Sequence, residues 1–121
     1  MSLHSVKAFT AFAQSLAATT FVEQWGSHVA KVGGKVFALI ADDGSSIAFK
    51  VSELSFEGLT ALEGITQAPY FAKRQWVAVH KGAALSDAEI KAYLGASYQT
   101  IVDSLTRKLR AELGLTSSRE S

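Results

Sequence analysis

The sequence predicts an α+β domain in which one antiparallel sheet is covered by helices on one face. Three observations lead there. Apolar residues recur at helical spacing near both ends of the chain, at Val6, Phe9, Ala13 and Leu16 and again at Ile90, Leu94, Ile101, Leu105 and Leu109. Between them, Ile47, Phe49 and Val51 alternate with Ser46, Ala48 and Lys50, the two-residue period of a strand with one buried face. Short turn signals, Gly33-Gly34 and Asp42-Asp43-Gly44-Ser45, separate the strand-like runs, and short turns join antiparallel neighbours.

In order along the chain, Ser5 to Leu16 is an amphipathic helix with Phe12 beside its apolar stripe. Ala17 to Gly26 reads as a connection. His28 to Val32 and Lys35 to Asp42 form a hairpin around Gly33-Gly34, where both positions accept positive φ at little cost, and Ser46 to Val51 completes a three-strand meander. Ser52 to Glu63 is a helix capped by Ser52 or Ser55, burying Leu54, Leu59 and Leu62 and ending near Gly64. Pro69, the sole proline, forbids helix and extends Ala68. Trp76 to His80 is a strand, with Val77 and Val79 on one side and Trp76, Ala78 and His80 on the other. Ser86-Asp87-Ala88-Glu89 is a capping box that starts the last helix, which Gly95 should break or kink, leaving Ser97 free to recap. The order is α, three strands, α, one or two strands, α.

The 121 residues suit a single domain, expected over 1–115 with a flexible tail at 116–121. Apolar residues make up 48% and charged residues 19%, globular values rather than those of a disordered chain. Without cysteine there is no disulfide framework, thiolate nucleophile or cysteine zinc site, which makes a reducing, cytoplasmic location the expectation. No run has the length and apolarity of a signal or membrane segment. The net charge of +1 is far from a strongly basic footprint, but 5 of the 12 basic residues and only 3 of the 11 acidic ones lie after residue 90. Any basic patch is therefore local.

Gly34-Lys35-Val36-Phe37-Ala38, Phe49-Lys50-Val51, Ala68-Pro69-Tyr70, Trp76-Val77, Ser97-Tyr98 and the closing Leu105 to Arg110 stretch, taken in that order over residues 5–114, resemble the MmcQ/YjbR-like family. The resemblance implies a two-layer α/β sandwich, α-β(3)-α-β(2)-α, with Gln67 to Phe71 supplying the short fourth strand. It also implies DNA binding of the double-wing type, by likeness to the sheet surface of a phage transcription factor, and no enzyme activity.

The residues themselves add the following. His4, His28 and His80 lie far apart without metal-ligand spacing, and Gly33-Gly34-Lys35 is followed by a strand rather than the helix of a phosphate loop, so neither a metal nor a phosphate-handling cofactor is expected. Ser97 has no base motif beside it and reads as a cap or as a small residue where helix meets sheet, and Tyr98 reads as core. Arg107, Lys108 and Arg110 share one side of the last helix, either as a phosphate-contacting face or as a solvated face complementing the macrodipole at its C-terminal end. Lys50, Trp76 and His80 should face away from the helices, where Lys31, Lys35 and Phe37 could join them.

The expected function is a non-enzymatic, monomeric binding module engaging DNA through that face. Trp76 would stack or anchor, and Lys35, Lys50, Lys73 and Arg74, with Arg107 and Lys108, would contact phosphates. The alternatives are a protein partner on the same face, or a small molecule in a pocket beside the last helix near Trp76, Ser97 and Tyr98. Whether Trp76 belongs to such a face depends on its ring, which is either open or tucked under the Pro69 to Gln75 loop and merely packed.

Overall fold

The computed structural model of the chain describes residues 2–116. Helix α1 (Val6–Gln14) leads into four strands, β1 (Thr19–Gln24), β2 (Ser27–Val32), β3 (Lys35–Ala41) and β4 (Ser46–Lys50). Helix α2 (Glu53–Thr60), β5 (Ile65–Gln67), β6 (Trp76–His80), α3 (Asp87–Ser104) and α4 (Arg107–Leu113) follow. The strands form one sheet in the order β1-β2-β3-β4-β6-β5, with every neighbouring pair antiparallel. The α+β class and the single antiparallel sheet are as predicted. Of the expected 116–121 tail, residues 117–121 lie outside the described residues.

Three elements differ from the reading. The stretch expected as a connection contains β1, paired with β2 from Thr19 opposite Val32 to Gln24 opposite Ser27. Trp25-Gly26 closes this hairpin with φ of +58° and +68°, the two-residue form whose twist suits antiparallel strands, and Gly33-Gly34 repeats it at +59° and +80°. The last helix runs through Gly95 without a break and ends instead at Leu105, whose extended backbone lets Thr106 cap α4 by accepting the Leu109 amide. The short strand expected at Gln67 to Phe71 lies earlier, as β5, and stops before Ala68, so Pro69 sits in a loop where its missing N–H costs no ladder bond.

The helices cover one face. Phe9 and Ala13 of α1, Leu59 of α2, and Leu94, Tyr98 and Val102 of α3 meet Ile47, Phe49, Val77 and Val79 in one core, as the alternation predicts. Leu54 is 83% exposed and Leu62 lies at the surface, contrary to the reading of α2. With Ser52 as cap, Leu54 is five residues from the buried Leu59, about 140° around the helix. Phe37 is also in this core. Ala30 pairs with Ala38 but Lys31 with Val36, so Phe37 is an extra residue of β3, and the bulge turns its ring away from the open face.

Ser97 is fully buried where α3 meets the sheet, the second of its two expected roles. Its hydroxyl donates to the Phe37 carbonyl at 2.6 Å and accepts the Lys50 N–H at 3.0 Å, serving strand groups just beyond the last β3–β4 pair. Tyr98 is core as expected. It meets Phe37 edge-on at 5.3 Å, its hydroxyl donates to the Ala17 carbonyl at 2.6 Å, and burial pushes the phenol above its ordinary pKa.

Candidate functional site on the uncovered sheet face

The face opposite the helices carries a second, smaller apolar cluster of Val29, Leu39, Ala48, Ala68, Trp76 and Ala78. The loop between β5 and β6 folds over one end of it. Phe71 stacks on Trp76 with ring centroids 4.1 Å apart and planes 19° from parallel, and Trp76 is left 6% exposed. The tucked arrangement is therefore the one adopted, and Trp76 offers no open ring for stacking. It holds the loop down instead.

Gln67 organises that loop. Its amide nitrogen lies 2.9 Å from the Ala68 carbonyl and 3.4 Å from those of Phe71 and Ala72, and its amide oxygen accepts the Arg74 N–H at 2.9 Å. Arg74 ties the other side of the loop to α2, through an ion pair with Glu57, a contact with Glu53 at 3.8 Å and a position over the Phe56 ring. These contacts occupy the guanidinium that the sequence offered to phosphate.

Between this loop and the Trp25-Gly26 turn lies an apolar cleft of about 540 Å³. Leu39, Ala48 and Ala78 make its floor, and the small alanines are what make it deep. Trp25 forms one rim and Pro69, Tyr70 and Phe71 the other. Trp25 is 70% exposed and Tyr70 fully so, and both hold left-handed backbone, at φ +58° and +68°. Bulky side chains rarely adopt that region, and such conformations concentrate at functional sites. Ser27 and Ser46 supply the polar lining, and within the described residues neither hydroxyl has a hydrogen-bond partner.

Lys50 lies on the cleft side of the sheet, paired with Trp76 and two residues along β4 from Ala48. Lys31 lies there too, two residues along β2 from Val29 and opposite Val36. Lys73 stands exposed in the rim loop. None of these three ammonium groups has an ion-pair partner among the described residues. Lys35 departs from expectation. It pairs with the core residue Val32, and its ammonium reaches Ser104 of α3 at 3.4 Å, on the helix side.

Arg107 and Lys108 are not brought to the cleft either. They occupy the first turn of α4, and Leu115 just beyond that helix packs on the helix-side core. At an N-terminus they do not complement the macrodipole, because the break at Leu105 starts a new helix and leaves only Arg110 in a last turn. Nor can Trp76, Ser97 and Tyr98 share a pocket beside the last helix, since Trp76 is on the opposite face of the sheet.

The histidines are separate. His4 Nε2 lies 3.0 Å from the Val79 carbonyl, His80 Nε2 lies 3.1 Å from Thr66 Oγ1, and the His28 ring sits between Glu23 and Asp42 at 3.4 and 3.2 Å. Sequence reasoning missed Trp25 as a rim residue. The available signal was an aromatic followed by glycine between two strand-like runs, Thr19 to Gln24 and Ser27 to Val32.

A family model described as YjbR matches residues 14–100. Among solved structures, the crystal structure of a protein from Deinococcus radiodurans with a DUF419 domain aligns with a TM-score of 0.83 at 23% identity, over 97% of this chain and 94% of that one. The crystal structure of a protein from Pseudomonas syringae aligns with a TM-score of 0.66 at 22% identity, over 79% and 97%. At these identities the likeness is one of fold. No curated protein matches the chain significantly. The matched segment takes in the whole sheet, both rims of the cleft and the first part of α3, and the chain belongs to the YjbR family.

Proposed function

We propose that the chain is a non-enzymatic binding module that engages nucleic acid, DNA above all, through the cleft on the uncovered sheet face. The observation that carries this reading is the pair of exposed aromatics, Trp25 and Tyr70, on opposite rims of an apolar floor, with the unpaired Lys31, Lys50 and Lys73 around it. Aromatic faces accept bases of any sequence, and ammonium groups neutralise phosphates. Binding rather than catalysis fits the lining, in which two serine hydroxyls stand without a histidine or carboxylate to activate them. No helix of the described residues is long and apolar enough to cross a membrane, and a monomer acting in the cytoplasm fits a DNA partner.

The test is fluorescence anisotropy of labelled DNA titrated with the full chain at low and raised salt. With two or three phosphates neutralised, log K should fall with log salt at a slope of about −2 to −3, because each neutralised phosphate releases counterions. Affinity that ignores salt, or no binding at low salt, overturns the reading. The complete exposure of Tyr70 favours one other occupant, an apolar side chain of a partner protein, since exposed aromatics are common interface anchors. Binding of that kind would survive raised salt.

A further inference from the structure

From the shape of the cleft we infer that it receives one unstacked nucleobase, so that the module selects single-stranded over double-stranded nucleic acid. This rests on the nucleic-acid reading above and narrows it. The floor of Leu39, Ala48 and Ala78 is recessed between two rims, so a base that reaches it must present a free flat face. A base in a duplex has both faces covered by its neighbours and shows the groove only an edge. A base splayed from a single strand has a face to offer. The 540 Å³ is of small-ligand size, room for one nucleoside and not for a helix.

The polar groups are arranged to suit such a guest. Ser27 and Ser46 flank Ala41 on the neighbouring strands, roughly 10 Å apart by strand spacing, at one end of the floor. A hydroxyl both donates and accepts, so these two can meet the edge of any base without strong preference. Lys31 and Lys50 lie at the opposite end, each two residues along its strand from the Val29–Ala48 row, roughly 7 Å away. A base lying on the alanines with its edge toward the serines directs its sugar and phosphate toward the lysines. Trp25 and Tyr70, projecting from the rims, stack on the base or its neighbours and stand in the way of a duplex lying across the face.

The experiment compares three labelled probes against the full chain at low salt: a short oligothymidine, the same strand annealed to its complement, and a strand of equal length made of abasic sites. The single strand should bind about tenfold tighter than either of the others, the equivalent of one stacked base. Ala48→Val, which adds methyl groups to the floor of the cleft on a strand position that favours β-branched residues, should remove that advantage while leaving the melting temperature within a few degrees. Should that variant unfold, Trp25→Asn gives a second reading of the same advantage. Equal or tighter binding of the duplex, or equal binding of the abasic strand, overturns the inference while leaving a nucleic-acid module in place. Absence of binding to all three probes overturns both.

Discussion

Trp25 holds a bulky aromatic on a left-handed backbone and exposes most of its ring, two choices that stability alone would not favour. Asparagine tolerates that backbone region, so Trp25→Asn should raise stability by about 0.5–1 kcal/mol while removing most binding at the cleft. A thermal melt beside one titration checks it, and a variant that binds as well as the wild type would take Trp25 out of the site. Trp76 is the converse. Its truncation to alanine should cost about 3–5 kcal/mol and lower the melting temperature by about ten degrees or more, because the ring is buried between the sheet and Phe71. A drop of only a few degrees would contradict the burial. Alternation along β6 placed Trp76 on the correct face from sequence, but whether a loop covers that face depends on Phe71 and on the amide of Gln67, contacts that no periodicity encodes. Trp25 and Tyr70 lie far apart in the chain, each in its own turn, so nothing local announces that they share a cleft.

The elements read correctly are those whose signals are local. Ser86 accepts the Glu89 amide at 3.2 Å and the Glu89 carboxylate accepts the Ser86 amide at 3.0 Å, the reciprocal pair that their spacing announced. That hydrogen bond from the Ser86 backbone holds the Glu89 carboxyl below the usual carboxylate pKa. A folded pKa lying below the unfolded one means stabilisation that is present above the unfolded value and lost as pH falls through the folded one. Melts of the wild type and Glu89→Ala should therefore differ at neutral pH and converge under acid. A gap that stays constant with pH would mean that the charge plays no part. The bulge at Phe37 and the break at Leu105 were not legible, because one depends on cross-strand register and the other on an extended Leu105 that no glycine or proline marks. The rim loop can be tested as an element. Gln67→Ala strips the amide that four loop residues share and should cost about 1–3 kcal/mol, and it should weaken binding at the cleft although Gln67 does not line it. Unchanged affinity in a destabilised variant would show that the rim need not be held.

At the scale of the molecule, one sheet serves two purposes, with a helix-covered face that supplies the main core and a loop-covered face that ends in a cleft. The class of fold was readable because amphipathic periods and turn chemistry report layers, whereas the use of the second face depends on how far a single loop reaches. The two sides are linked through Ser97, which joins α3 to the Phe37 carbonyl and the Lys50 amide. The Lys50 amide therefore owes its protection to a helix and not to a neighbouring strand. In native-state hydrogen exchange it should be released only when α3 lifts from the sheet, and its rate should follow the amides in the middle of α3 rather than those of β4. A single backbone proton of β4 thus becomes a reporter for how firmly the helical layer is docked on the sheet.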